Sequence, residues 1–177
     1  MYRVPLVTDL LSQGDIFRGR FAFPYMEDLT AGIQIVREDL VHPSTEIADA
    51  WQNGSEVILS PAQVSDLAII LSQSCDAENP QKPPLDFVTL GAVRPLTDLA
   101  GGHHENCRHH KFIRYHYLAA HPNAGLAESF VHFGLLMLVS QQSLAASKVS
   151  RVLALEHPHR EDLGHRIGEF FSRVALP

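Results

Sequence analysis

The segment DLAIILSQSCD, residues 66–76, carries the clearest structural signal in the chain. Its apolar run, residues 67–71, has no polar interruption and therefore predicts a strand buried on both faces of a sheet. Hydroxyl, amide, thiol and carboxylate side chains follow directly, and the prolines at positions 80, 83 and 84 then predict a loop. Because functional groups are often delivered to a loop by a rigid strand, this strand end is the first candidate site.

Other short segments, rich in β-branched, aromatic or alternating residues and bounded by Gly, Pro or Asn, predict further strands. These segments are 14–17 with an extension over 21–24, 33–37, 56–60, 87–93, 112–118, 129–140 and 151–155. Gly134 is expected to kink the long strand 129–140. A helical turn is predicted over 46–51, and the Gly- and His-rich segment 97–111 is predicted to be a loop insertion.

One helix is predicted, over residues 159–174. Acidic residues at positions 161 and 162 suit the positive end of a helix dipole in its first turn. An apolar stripe at helical spacing follows, formed by Leu163, Ile167, Phe170, Phe171 and Val174. Many short strands followed by one helix predict a mainly β protein, a small antiparallel barrel or half-barrel with a C-terminal packing helix.

Bulk composition predicts a single globular domain over residues 1–177, since 45% of the residues are hydrophobic. The formal charge of −6 excludes a generally basic nucleic-acid-binding protein but leaves room for a local basic groove. Two cysteines are too few for a disulfide scaffold. No segment has the length of a signal-peptide core or a membrane span, so a cytoplasmic protein with reduced thiols and no membrane partner is expected.

The order of motifs resembles a known family. A first strand opens with Gly14-Asp15, a buried strand ends in Leu71-Ser72, a later strand ends near Pro95, and the run 151–155 precedes the helix. This order is similar to that of the PemK/MazF-like toxins, in outline over residues 12–96 and 135–177. The resemblance implies an SH3-like barrel, a bacterial toxin–antitoxin or defence system, a homodimer, an antitoxin partner and cleavage of single-stranded RNA.

Two positions depart from the pattern of the nuclease members. Those members carry an Arg-Pro pair just before the central strand, with the arginine in catalysis, whereas the matching residues here are Ser65-Asp66-Leu67, so that arginine is missing. After the next strand they often carry Pro-Ile-Thr or Pro-Ile-Ser, whereas this chain has Arg94-Pro95-Leu96, with no hydroxyl directly after the proline until Thr97. The resemblance therefore transfers the fold more directly than the activity, because function resides in sites rather than folds.

Residues at predicted strand ends form the candidate catalytic set, which is Asp15, Ser72, Cys75, Asp76 and Arg94. Since a barrel gathers strand ends, we expect these residues around one concave face. A metal-independent ribonuclease needs a base for the 2′-hydroxyl and a cation for the phosphate. Asp76 or a histidine from 109–116 is the candidate base, and Arg94 or Arg114 the candidate cation. The alternative is structural: a cysteine as buried filler and aspartates that fix turns.

Two further surfaces are candidates for binding. Cations interleaved with aromatic residues suit phosphates and stacked bases of single-stranded RNA, and this set is Arg94, Arg108, Lys111, Arg114 and Tyr115. Imidazole and thiolate are ligands for zinc, and the candidate ligands are His103, His104, Cys107, His109 and His110. The alternatives are an ordinary alternating strand for the first set and a solvated His-rich loop for the second.

Three function classes remain open from the sequence. The first is a toxin-like endoribonuclease, or a catalytically degenerate relative, that requires no cofactor. The second is a non-catalytic binding or regulatory module of the same fold. The third is a metal-dependent enzyme with zinc at the His-rich loop.

Overall fold

The computed structural model of the protein describes residues 1–6, 10–24, 62–72, 87–146 and 150–174. Within these ranges the strands are β1 Tyr2–Arg3, β2 Asp15–Pro24, β3 Ala62–Ile70, β4 Phe87–Pro95, β5 Tyr115–Leu118, β6 Ser129–Ser140 and β7 Ser150–Leu155. The helices of the same ranges are α1 His104–Arg108, α2 Gln141–Ala146 and α3 His159–Val174. The predicted segments 33–37, 46–51 and 56–60 lie outside the described residues, as do Cys75 and Asp76.

All seven strands form one antiparallel sheet in the order β1-β7-β2-β3-β4-β6-β5. The strand β3 occupies the middle of this order. Its Ala68 and Ile70 side chains join one hydrophobic core, and those of Ile69 and of Leu71, directly after the strand, join a second. The prediction of a central strand buried on both faces is therefore confirmed, with Leu67 only half-buried at its margin.

The sheet curls into a half-barrel, so that its two outermost strands approach each other. The Tyr2 hydroxyl of β1 donates a hydrogen bond to the Ala119 carbonyl oxygen, just after β5, at 2.7 Å. The Tyr2 ring also meets the His121 ring edge-on, with centroids 5.6 Å apart. A side chain thus joins the two edges of the sheet, and the predicted antiparallel half-barrel is confirmed.

The predicted irregularity in the long strand is also present. Gly91 of β4 lies opposite Leu136, whereas the next residue, Ala92, lies opposite His132. Three extra residues of β6, centred on Gly134, are accommodated by this shift of register. The Gly134 amide donates to His132 Nδ1 at 3.0 Å, which holds the bulge from within its own strand.

Helix α3 packs against one face of the sheet. Leu163 is fully buried, and the partly buried Ile167 and Phe170 pack on the same core, with Phe170 5.7 Å from the Phe133 ring. The expectation that Phe171 is buried is wrong, because this side chain is 43% exposed. One residue beyond Phe170 is a rotation of about 100° around the helix, which turns Phe171 away from the sheet. No helix in the described ranges is long and apolar enough to cross a bilayer.

The prediction of an irregular loop over 97–111 is wrong. Two 3₁₀ turns, Leu96–Asp98 and Gly101–His103, lead directly into α1. The Cys107 side chain of α1 is 1% exposed and packs with Leu96 and Phe130 in a small core of its own. Tertiary packing of one buried thiol therefore orders a segment whose local sequence favours a loop.

Candidate functional site

Asp15 serves the structure of the sheet. It opens β2, is fully buried, and its Oδ2 accepts hydrogen bonds from the Ser12 amide and Arg151 Nη1, both at 2.9 Å. Burial raises the pKa of this carboxyl, and the contacts with Ser12 and Arg151 act in the opposite direction. The preceding Gly14 has φ +87°, and a Cβ there would lie 2.9 Å from the Leu155 Cβ, so this turn requires glycine. These contacts favour the structural alternative for Gly14-Asp15.

The strand register separates Arg94 from Ser72, another described member of the predicted catalytic set. Ser72 follows the end of β3, and its Oγ accepts a hydrogen bond from the Thr89 amide at 2.8 Å. Leu67 of β3 lies opposite Val93 of β4, so Arg94 lies beside the first half of β3. The five steps along β4 from Thr89 to Arg94 correspond to about 17 Å. The described members of the set therefore do not surround one concave face.

Arg94 instead lines a different depression, here called the arginine cleft. This cavity of about 320 Å³ lies between β2, β3, the end of β4 and the segment 125–129. Its polar lining comprises Arg18, Ser65, Asp66, Arg94, Asp98 and Ser129. Two cations, from the strands β2 and β4 that flank β3, and two carboxylates thus share one recess.

A β-bulge in β2 begins at Arg18, the residue that β2 contributes to the arginine cleft. Arg18 of β2 lies opposite Leu67, but Phe21 lies opposite Ser65, so β2 holds one extra residue at this point. The bulge bends β2 and re-aims its side chains. Arg18 Nη2 donates to the carbonyl oxygens of Ala124 at 2.9 Å and Gly125 at 3.2 Å, and this fixes the guanidinium at the rim without neutralising its charge.

Arg94 is held in place by side chains on both sides. Its Nε donates to Asp98 Oδ2 at 2.7 Å, and its Nη2 lies 2.6 Å from the same oxygen. Its Nη1 donates to Gln63 Oε1 at 2.8 Å. The guanidinium is therefore oriented before any ligand arrives, and its charge is partly offset by Asp98.

Arg108, a predicted nucleic-acid contact, is held by two acidic side chains. It donates to both Glu128 carboxylate oxygens, at 2.9 and 2.8 Å, and to Glu105 Oε1 at 2.6 Å. The Tyr117 hydroxyl donates to Glu128 Oε1 at 2.6 Å. The bond from Arg108, followed by that from Tyr117, lowers the pKa of Glu128 to about 2. Arg108 thus stabilises the junction of α1 and β6 and offers no net positive charge to a phosphate.

The remaining predicted RNA contacts differ in exposure. The half-buried Tyr115 ring lies 4.9 Å from Phe130, 5.1 Å from His132 and 5.5 Å from Phe112, measured between centroids. Its faces are therefore used inside the protein rather than for stacking on bases. Lys111 and Arg114 are exposed on the connection between α1 and β5.

Four of the five predicted zinc ligands have separate roles in and around α1. Burial raises the pKa of the Cys107 thiol to about 11, so the thiolate that zinc prefers is disfavoured at neutral pH. His103 stacks on the Phe112 ring with centroids 5.2 Å apart. His104 Nε2 is bonded to the Leu99 carbonyl oxygen at 2.9 Å, and His109 Nε2 lies 3.4 Å from a carboxylate oxygen of Glu105.

The fifth predicted ligand, His110, belongs to a different group. Its ring lies 5.0 Å from that of His116 on β5, and His116 Nδ1 is 3.6 Å from Asp162 Oδ2 on α3. Burial lowers the pKa of both histidines, that of His116 to about 3. From the sequence alone, His116 is a candidate only for the general base within 109–116, and Asp162 only for a residue that suits the helix dipole. The alternation of His116 with the buried Leu118 was the available signal that its side chain points inward.

A scan of the chain against protein-family models gives no match, and a search of curated proteins gives none either. The relation to the PemK/MazF-like toxins stays a prediction from motif order. The fold and side chains together define an antiparallel half-barrel with an arginine cleft beside β3 and a histidine–aspartate group between β5 and α3.

Proposed function

We propose that the protein binds single-stranded RNA in the arginine cleft, as a catalytically degenerate relative of the toxin-type endoribonucleases. The observation that carries this proposal is the convergence of Arg18 and Arg94, from different strands, on one recess. A homodimer and an antitoxin partner, which the resemblance implies, belong to the same proposal.

The dimensions and charges of the cleft support this ligand class. A volume of about 320 Å³ is near the lower end of ligand sites, which span about 300 to 1,000 Å³. Such a recess accommodates a short segment of an extended chain. Planar guanidinium groups fit phosphate oxygens in a bidentate manner, and both arginines are pre-oriented by their own contacts, which reduces the entropy lost on binding.

The acidic residues of the cleft favour binding without efficient cleavage. Asp98 already neutralises part of the Arg94 charge. The stretch Ser65-Asp66-Leu67, which includes the cleft residue Asp66, stands where the resembled nucleases carry their Arg-Pro pair, so their catalytic arginine is missing. A phosphate must therefore compete with a carboxylate for Arg94. We expect weak, strongly salt-dependent affinity, since the electrostatic contribution to RNA binding is screened by counterions.

Replacing Arg94 tests the binding proposal. Arg94→Ala should weaken binding of a fluorescent single-stranded RNA about tenfold at low salt and flatten the salt dependence by about 0.7, the slope of one phosphate contact on a single strand. Arg173→Ala is the matched control, because Arg173 forms an equivalent i,i+4 ion pair with Glu169 on α3. Equal losses in both variants, or no binding by the wild type at low salt, would refute the proposal.

Cleavage at the same cleft is a second candidate, favoured by one observation. Asp66 is exposed and lines the recess that holds both arginines, so a base and two cations are available together. If it acts, the wild type should cut single-stranded RNA in the presence of chelator and leave 2′,3′-cyclic phosphate ends. Asp66→Asn should then reduce the rate by on the order of 100-fold while RNA affinity is kept. Intact RNA after prolonged incubation with the wild type excludes this candidate and leaves the binding proposal in place.

A further inference from the structure

Two histidines six residues apart and an aspartate from a distant helix bring metal-ligating atoms together at one point. His110 ends the turn after α1, His116 lies on β5, and Asp162 lies in the first turn of α3. One ligand atom from each lies within 4.8 Å of the others, and among the described residues no other group of three or more such side chains comes as close. The convergence depends on the packing of α3 against β5 rather than on a local sequence motif.

The buried histidine of this group has unsatisfied polar atoms. His116 is 2% exposed, and neither of its ring nitrogens has a hydrogen-bond partner; the buried Nδ1 of His110 also has none. The separation of 3.6 Å between His116 Nδ1 and Asp162 Oδ2 is too long for a hydrogen bond. Burying a polar group without a partner costs free energy. A ligand bound to the lone pair of the imidazole nitrogen would remove this cost.

We infer that His110, His116 and Asp162 form a binding site for a divalent transition metal of the zinc class. Two imidazoles and one carboxylate are a ligand set that suits zinc and its neighbours, and three protein ligands leave one position open in a tetrahedral site. This inference is independent of the proposed RNA binding, because the site does not share residues with the arginine cleft.

Zinc binding requires the three ligand atoms to move only modestly closer together. Ligand atoms bonded to zinc at 2.0–2.1 Å lie about 3.3 Å apart in a tetrahedral site, against the present limit of 4.8 Å. Asp162 has a half-exposed side chain that can rotate toward the histidines. The His110 backbone adopts φ +53°, which is uncommon for a residue other than glycine and places its ring beside His116.

The positive charge of Arg166 is the main electrostatic interaction that disfavours a cation bound to His110, His116 and Asp162. Its Nη2 donates to the carbonyl oxygens of His110 at 3.1 Å, Phe112 at 2.7 Å and Tyr115 at 3.3 Å, and so fixes the turn that carries the first ligand. The same guanidinium charge disfavours positive charge nearby, whereas the Asp162 carboxylate favours it. We therefore expect weaker affinity than at an all-anionic site, with selectivity for metals that prefer nitrogen ligands over Mg²⁺ and Ca²⁺.

Titration of the full chain with zinc, and with cobalt(II) as a spectroscopic probe, tests the site. The wild type should bind one ion per chain at micromolar concentrations, with a visible cobalt spectrum of low coordination number. His110→Gln and Asp162→Asn should each weaken binding at least tenfold. These variants are preferred to changes at His116, whose burial makes misfolding a separate cause of loss. Circular dichroism of each variant without metal verifies that the fold is kept.

Matched controls come from the neighbouring positions. His109→Gln and Glu161→Gln change exposed residues one position away from two of the ligands, and each should leave the affinity within twofold of the wild type. Imidazole NMR signals of His116 should shift on addition of zinc in the wild type and in both controls. The site is refuted if the wild type binds no stoichiometric ion, or if binding persists in His110→Gln and Asp162→Asn and is lost on replacing His103, His104 and His109.

Discussion

Arg151→Ala should lower the free energy of unfolding by about 3–5 kcal/mol at pH 7, the usual cost of leaving one partner of a buried ion pair alone. Arg151 Nη1 donates to Asp15 Oδ2 and to the Leu10 carbonyl oxygen, both at 2.9 Å, and Nη2 donates to the Leu6 carbonyl oxygen at 2.6 Å. Without this side chain the fully buried Asp15 loses its cation, and the segment leading into β2 loses two anchors. Urea denaturation followed by circular dichroism measures the loss.

The pH dependence identifies the ion pair as the cause. Burial already raises the folded-state pKa of Asp15, so ionisation costs stability as the pH rises through that pKa. Removing Arg151 removes an interaction that lowers this pKa, which therefore rises further. At low pH Asp15 is neutral in both proteins, so the stability deficit should be smallest there and should grow as the pH rises between the two folded-state pKa values. A deficit independent of pH would assign the loss to the carbonyl contacts instead.

Leu163→Ala should destabilise the protein by about 2–5 kcal/mol, because it removes buried methyl groups and leaves a cavity between α3 and the sheet. The residue is fully buried in the larger core, beside partly buried neighbours on the same helix that cannot collapse fully into the space. Thermal and urea unfolding should both report the loss in a single transition.

Phe171→Ala is the control for this helix. Its side chain is 43% exposed, so the change should cost less than about 1 kcal/mol although more atoms are removed. If Phe171→Ala were the more damaging variant, the orientation of α3 described above would be wrong.

The elements predicted correctly are those whose own sequence contains the cause of their structure. The uninterrupted apolar run of residues 67–71 can be buried only if hydrophobic cores lie on both faces of the sheet. The apolar stripe of α3 repeats with a single helical period. Helix α1 was missed because its cause lies elsewhere. Glycines and histidines favour a loop locally, and the helix forms where Cys107 packs against Leu96 and Phe130, contacts that no local window contains.

The candidate site likewise has one feature that the sequence could have predicted and one that it could not. Separation of Ser72 from Arg94 follows from antiparallel pairing, which places the end of β4 beside the start of β3, so register reasoning could have found it. Register reasoning could not have found the grouping of His110, His116 and Asp162, since it depends on how α3 packs beside the segment 110–116. Side chains brought together by packing between distant elements leave no spacing pattern in a single sequence.

The position of β7 between β1 and β2 has a consequence for synthesis of the chain on the ribosome. Asp15 of β2 pairs with Ala154 of β7, and at about 5–20 residues per second these two residues are synthesised roughly 7 to 30 s apart. Throughout that interval one edge of β2 has no partner, and an unpaired edge is a template for contact with other nascent chains. The sheet is thus completed in a late step, in which β1 and β2 wait for β7, the last of the described strands, to be translated.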